Sequence, residues 1–274
     1  MTARPSPTIP PGHLVVSGAS GRIGRRLRRI WAEADVVWHS RADGPLDEAV
    51  DGRGTLIALG GVTSGSEAAL AANSKAALDA LEAARRAGLR RVLLFSSAAI
   101  YGTRSGLLSE EMAPTPAAPY GAAKGAQEAA VATWRETYPD GPEAISLRLG
   151  NVAGADALLG QLGAVPPRLD IFADGTAPRR SFIGPETLAR ILLALAVHPS
   201  PLPPILNVAA PGAIGMDDLL RAAGRDWTAV TAPNTAIPEV HMDTGRLERL
   251  VPLQAIDREP AEIVRQWRAT EGCP

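Results

Sequence analysis

The chain has 274 residues, 46% of them hydrophobic, with 28 Lys and Arg against 29 Asp and Glu and a formal net charge of −1. That is enough apolar material for one large domain, or a main domain with a smaller one, and the scattered basic residues exclude the massed positive surface that binds nucleic acid. The single cysteine, Cys273, excludes an intramolecular disulfide and a thiolate metal cluster.

His13, His39, His198 and His241 are far apart in the chain, so no metal site is expected. No apolar run is long enough to span a membrane. Met1 to Gly12 is Pro-rich without the apolar core of a signal peptide, so it reads as a loose tail on a cytoplasmic protein.

Strand and helix alternate along the chain, as a parallel sheet covered on both faces requires. A first strand, His13–Ser17, enters the turn Gly18-Ala19-Ser20-Gly21-Arg22-Ile23-Gly24 and then a basic, amphipathic helix over Arg22–Ala34. Strands follow at Val36–His39 and Thr55–Leu59, and a long Ala-rich helix at Glu67–Ala87 ends on Gly88 as its C-cap. Further strands are predicted at Arg91–Ser96, Ala144–Leu149 and Ile205–Val208. Further helices are predicted at Tyr120–Tyr138, Glu186–Ala196, Met216–Ala223 and Pro260–Thr270. Pro199 to Pro204 reads as a stiff loop, and there is no internal repeat.

A strand, a glycine turn and a helix start form the setting in which backbone can approach a pyrophosphate. Gly18 would make the turn, Gly21 would permit close approach, and Gly24 would let the helix lie against the sheet. The helix N–H groups and positive dipole end would then hold the phosphates, with Ser20, Arg22 and Ile23 lining the turn. The spacing Gly-x-x-Gly-x-x-Gly has a first gap one residue longer than the common dinucleotide fingerprint.

Farther along, Tyr120 and Lys124 are one helical turn apart and share a face. A cation there favours the tyrosinate and should draw the phenol's pKa down from roughly 10 toward the range of a general acid or base. Alone, the pair reads more readily as an ordinary Tyr and Lys on an exposed helix.

The order of the motifs distinguishes these readings. The glycine turn is followed by Leu93-Leu94-Phe95-Ser96-Ser97-Ala98-Ala99-Ile100-Tyr101-Gly102, by Tyr120-Gly121-Ala122-Ala123-Lys124, by Leu147-Arg148-Leu149-Gly150-Asn151-Val152-Ala153-Gly154, and by Gly175-Thr176-Ala177-Pro178-Arg179-Arg180-Ser181-Phe182-Ile183. In this set, from about Leu14 to about Leu250, the chain resembles the extended short-chain dehydrogenase/reductases, the group that includes NAD-dependent epimerases and dehydratases of nucleotide sugars.

The resemblance implies an α/β fold, a Rossmann-type doubly wound parallel sheet. Residues 13–150 would bind the dinucleotide, and a smaller portion, 151–274, would bind substrate. It makes Tyr120 the catalytic acid/base and Lys124 its pKa modulator and a ligand of the nicotinamide ribose. Ser97 would hydrogen-bond the reacting oxygen. Leu59, Gly60 and Gly61 would line the cofactor. Asn151 and Arg180 would contact the substrate, although Asn151 could equally satisfy loop backbone and Arg180 could pair with Glu186. Arg148 reads as a structural partner of backbone. Asp243 to Leu250 resembles a late packing helix.

An NAD enzyme usually places a carboxylate at the end of the second strand for the ribose 2′-OH, and an NADP enzyme a cation and small polar groups. Ser40-Arg41 stands there, so NADP(H) is expected over NAD(H), with Asp43 as the competing ribose ligand. Only about a dozen residues separate Arg41 from Gly54, too few for a helix, a strand and a second helix. The third strand is therefore expected to be missing, with Leu46–Val50 forming a helical turn or two.

Ala98-Ala99 replaces the Asp-Glu pair of the group's dehydratases, which disfavours dehydration. Carbonyl/alcohol oxidoreduction on a small anionic or sugar-type substrate leads, ahead of epimerisation of a nucleotide sugar with retained cofactor and of a non-catalytic NADP-binding scaffold. The small-residue helix with Ala122, Ala123, Ala126, Ala129 and Ala130 would suit either a homodimer or burial within one subunit.

Overall fold

The structure is a computed structural model that describes residues 13–50, 54–163 and 165–271. The expected tail Met1 to Gly12 and Cys273 lie outside the described residues.

The chain first lays down β1 (Leu14–Ser17), α1 (Arg22–Ile30), β2 (Val36–His39), α2 (Leu46–Val50), β3 (Thr55–Ala58) and α3 (Glu67–Arg86). Next come β4 (Arg91–Ser97), β5 (Leu107–Leu108), α4 (Pro119–Thr137), β6 (Glu143–Leu149), β7 (Asn151–Val152), β8 (Arg168–Ile171), β9 (Arg179–Arg180), β10 (Phe182–Ile183) and α5 (Pro185–Ala196). The last elements are β11 (Ile205–Val208), β12 (Ile214–Gly215), α6 (Met216–Ala222), β13 (Thr228–Thr231), β14 (Glu239–Met242), α7 (Gly245–Leu250) and α8 (Pro260–Thr270).

A six-stranded sheet runs in the order β11-β6-β4-β3-β1-β2, with parallel pairing where β2, β1, β3 and β4 meet. The order reverses at β1, which is flanked by β2 and β3, and such a switch point opens a crevice at the carboxyl ends of the strands. Among the described residues no strand lies between Arg41 and Gly54, so β2 is the edge strand, as the short spacing predicted. The five-residue α2 takes the place of the absent crossover.

Two compact units interleave in the sequence. Among the described residues one comprises 13–50, 54–95, 126–146 and 189–204, the other 96–125, 147–163, 165–188 and 205–271.

The first unit packs α3 on the sheet. Ala77, Ala80, Leu81 and Ala84 recur at helical spacing and meet Val15, Leu56, Val92 and Leu94, all of them buried. Ser66 caps the start of α3 by accepting from the Ala69 N–H at 3.2 Å. At its end Gly88 adopts φ +67° and Leu89 N–H reaches back to Ala84 O at 2.9 Å, the hydrogen bond of a Schellman stop. Helix α1 ends at Ile30 rather than at Ala34. Trp31 is buried at 3% exposure and leans on Trp38 at 6.1 Å between ring centroids, so the chain turns there to enter β2.

The second unit is cored by Leu159, Leu169, Phe182, Leu219, Leu220, Ile263 and Trp267. Its strands are short: β12, β9, β14 and β5 form one small sheet, while β8 pairs with β13 and β7 with β10. Thr187 on α5 donates to Asp257 Oδ1 at 3.0 Å and accepts from Gln266 Nε2 at 3.1 Å, tying the C-terminal helix α8 in place. No helix among the described residues is long and apolar enough to cross a membrane.

Candidate functional site

In the first unit a cavity of about 410 Å³ opens at the carboxyl ends of β1, β2 and β3. Gly18, Ser20 and Gly21 form one wall, Arg41 another, and Leu59, Gly60 and Gly61 a third. Gly18 has φ +81°, and a Cβ there would sit 2.9 Å from the backbone nitrogen of Gly60, so only glycine lets the two strand ends approach.

Gly21 is the N-cap of α1 and offers no side-chain cap, so the first-turn N–H groups are left for an acceptor from outside the helix. A Cβ on Gly24 would lie 2.6 Å from the carbonyl oxygens of Gly18 and Ala19, so this glycine seats the helix on the turn rather than on the sheet. Arg22, Ile23, Gly24 and Ser40 do not line the cavity.

His39, Leu46, Val62, Asn73 and Gln127 line it as well, beyond the residues expected at the cofactor. Asn73 is 2% exposed and clamps the loop after β3, accepting from Val62 N–H at 2.7 Å and donating to Val62 O at 3.0 Å. A polar residue on the apolar face of α3 was the signal that could have marked it.

The loop after β2 gives Asp43 and Arg41 different surroundings. Ser40 donates to Asp43 Oδ2 from both N–H and Oγ, each at 2.7 Å. The Ser40 hydroxyl, then its N–H, hold this exposed carboxyl below the usual carboxylate range. Asp43 is thereby committed to the turn. Arg41 is exposed on the cavity wall and makes no ion pair among the described residues.

In the second unit Ser97 ends β4, and its Oγ accepts from Ala99 N–H at 3.2 Å. The Ser97 side chain is also hydrogen-bonded to the hydroxyl of Tyr120, at the start of α4. Burial pushes the Tyr120 phenol above its ordinary value, and the Ser97 hydrogen bond only partly opposes this. The expectation that Lys124 lowers this pKa is corrected: the penalty for burying a tyrosinate dominates, and Lys124 is not among the groups that shift it. Lys124 lies one turn along α4 and is 2% exposed.

Ser96 is buried in the strand. Tyr101 belongs to a buried structural network: its hydroxyl donates to Asn207 Oδ1 at 2.7 Å and accepts from Arg148 Nη1 at 3.1 Å, while Arg148 also reaches Glu110 O at 3.2 Å.

Asn151 donates its backbone N–H to Ser181 O at 2.9 Å, and its side chain makes no hydrogen bond among the described residues. Arg180 donates to Arg179 O at 2.7 Å and Pro238 O at 3.4 Å. Burial lowers its pKa, against the attraction of Asp170. The alternative pairing with Glu186 does not form, because Arg265 takes that carboxylate. Ser181 donates to Gly212 O at 3.4 Å and accepts from Met242 N–H at 2.9 Å. Pro238 also forms part of a second cavity, of about 680 Å³, with Ile171, Phe172, Thr231 and Asn234 in its wall. No group of three or more His, Cys, Asp or Glu that could hold a metal occurs among the described residues.

The NAD dependent epimerase/dehydratase family model matches residues 55–209. No curated protein matches in sequence. Among solved structures, the chain is similar to TunA, an NAD dependent NDP-hexosamine 5,6-dehydratase involved in tunicamycin biosynthesis, with TM-score 0.76 and 20% identity over 95% of this chain and 99% of that one. It is also similar to the UDP-N-acetylglucosamine 4-epimerase from Methanobrevibacter ruminantium M1 in complex with UDP-N-acetylmuramic acid, with TM-score 0.75 and 17% identity over 96% and 100% of the two chains. A third is the UDP-glucuronic acid 4-epimerase from Bacillus cereus in complex with UDP-glucuronic acid and NAD, with TM-score 0.73 and 17% identity over 93% and 99%. At these identities the likeness is one of fold.

Proposed function

Since this chain belongs to the NAD dependent epimerase/dehydratase family and is an enzyme of that kind, we propose that it transfers hydride between NADP(H) and a carbonyl or alcohol carbon of a small sugar-type substrate, working in the cytoplasm. The observation that carries this reading is the hydrogen-bonded Ser97–Tyr120 hydroxyl pair, with Lys124 buried one turn along the same helix.

The cofactor, when bound, supplies or accepts the hydride. Every other part of the chemistry falls to the chain. Burial keeps Tyr120 protonated at neutral pH, which suits it to deliver a proton to a carbonyl oxygen as negative charge develops there. Ser97 donates a second hydrogen bond to the same oxygen. Lys124 would hold the nicotinamide ribose.

The glycine turn, with its unsatisfied α1 N–H groups, fits a pyrophosphate. Arg41, exposed and unpaired among the described residues, fits a 2′-phosphate better than a 2′-hydroxyl. The turn Ala98–Tyr101 has no carboxylate beside Ser97, which argues against dehydration. Residues 151–274 would carry substrate recognition. The partly buried Arg180 and the free Asn151 side chain favour an anionic group such as the diphosphate of a nucleotide sugar, and on such a substrate the same hydroxyl pair would serve epimerisation with retained cofactor. Ala122, Ala126 and Ala129 are exposed along one face of α4, which suits a homodimer.

The test is a fluorescence titration with NADPH and NADH, repeated on Arg41→Ala and followed by turnover assays on carbonyl sugars and nucleotide sugars. NADPH should bind more tightly than NADH, and Arg41→Ala should weaken NADPH about tenfold while sparing NADH. NADH binding at least as tight as NADPH would overturn the phosphate assignment. Tyr120→Phe should abolish turnover without loss of cofactor binding; a variant that still turned over would remove Tyr120 from the chemistry. Product formed with no change in NADPH absorbance would identify an epimerase.

A further inference from the structure

We propose that His39 is a second determinant of cofactor choice, read through its protonation state: as imidazolium it joins Arg41 on the 2′-phosphate of NADP(H), and as neutral imidazole it accepts from the 2′-hydroxyl of NAD(H). The inference rests on the assignment of Arg41 to the 2′-phosphate.

His39 is the last residue of β2, and its carbonyl accepts from Ala19 N–H in the glycine turn at 3.1 Å, so the strand end and the turn are held together. Its half-buried side chain lines the same cavity as Gly18, Gly21 and Arg41. Ring atom Nε2 lies 3.0 Å from Gly44 O. A carbonyl oxygen can only accept, so Nε2 carries a proton in both charge states. The choice is thus left to Nδ1, which has no hydrogen-bond partner among the described residues. Unprotonated, Nδ1 presents a lone pair that can accept from a ribose hydroxyl and repels a phosphate oxygen. Protonated, it presents a donor and a positive charge.

The charged surroundings come from every neighbouring element. On the following loop stand Arg41 and Asp43, the latter bound by Ser40. On α1 Arg28 sits over the Trp38 ring at 6.0 Å. Helix α2 brings Asp47, paired with Arg86 at 2.5 Å, and Glu48. On α3 Asp79 lines the cavity and pairs with Lys75 at 2.6 Å. Strand β1 opposes His39 with the uncharged Ser17. Carboxylates, lysines and arginines keep their charge from about pH 5.5 to about 8.5, so among these side chains histidine is the type that switches in that window. The ligand's own phosphate loses charge near pH 6 and binds less tightly as pH falls. That effect opposes the histidine and must be measured separately.

The experiment measures NADPH and NADH dissociation constants at about pH 5.5 and 8.5 for the wild type and His39→Gln, a neutral side chain that can still donate to Gly44 O. His39→Gln retains the titration of the ligand phosphate, so dividing the wild-type preference by the variant's isolates His39. The corrected preference for NADPH should rise about five- to tenfold on going to the lower pH. In parallel, the imidazole resonance of His39 should titrate at higher pH with NADPH bound than with NADH bound. Wild type and His39→Gln changing in step, or a resonance indifferent to the cofactor, would overturn the role of His39 while leaving the Arg41 assignment standing. Loss of NADPH preference at both pH values, together with no effect of Arg41→Ala, would overturn both.

Discussion

Gly121→Ala sets helix propensity against packing, and the distances indicate which prevails. Gly121 lies in the first turn of α4, where alanine would by itself add up to about 1 kcal/mol of stability over glycine. The added Cβ, however, would stand 2.4 Å from Ala99 O, 3.0 Å from Ala99 C and 3.1 Å from Pro116 Cβ. The nearest obstacle is backbone and cannot rotate away, so the cost belongs at the upper end of overpacking, about 3 kcal/mol. The balance is a loss of about 2 kcal/mol, or a fall in melting temperature of roughly 4–8 °C. The displaced residue is also the one whose N–H donates to Ser97, and Ser97 is the partner of Tyr120. Loss of that hydrogen bond should send the Tyr120 phenol still higher. Calorimetry and a tyrosinate absorbance titration read the two effects. A variant that melts at or above the wild-type temperature, or whose tyrosines titrate unchanged, would refute the argument.

Arg91 has a fully buried side chain that donates to Glu143 at 2.8 Å, Leu195 O at 2.6 Å and Ser200 O at 3.0 Å, so Arg91→Met should cost about 2–3 kcal/mol by leaving buried carbonyls without their donor, while Glu143 keeps Arg90 and the Leu202 N–H. Urea unfolding measures this, and a loss below about 1 kcal/mol would contradict it. Tyr101 and Tyr120 are both raised by burial, so the folded protein holds two phenol protons that the unfolded chain releases near pH 10. Their contribution is therefore complete below about pH 10 and is lost as pH rises through the folded values. Alkaline unfolding followed at the tyrosinate band should show two of the three tyrosines titrating late, and all three titrating together as free tyrosine would exclude it.

Local chemistry made much of this protein legible before folding was considered. Gly18, Gly21 and Gly24 recur at the spacing a tight strand–helix turn requires, and steric demands of that kind act over a few residues. The six sheet strands and the long helices declare themselves through hydrophobic period, and the missing strand through a count of residues between Arg41 and Gly54. The two-residue strands have no period to read. They exist because distant segments pair, as Ile214 does with Arg180 and His241 with Leu107.

Tertiary structure also settled which partner each polar group took. Asp43 went to Ser40, leaving Arg41 on the cavity wall; Glu186 went to Arg265, 79 residues away. His39 and Asn73 joined the cavity from separate elements. Spacing alone put Lys124 one turn from Tyr120 and predicted a lowered phenol pKa, but burial reversed the direction. Residue types and their local spacing determine which chemistry is available. Exclusion of water and the choice among distant partners determine the charge state in which it waits, and both arise only when the chain packs.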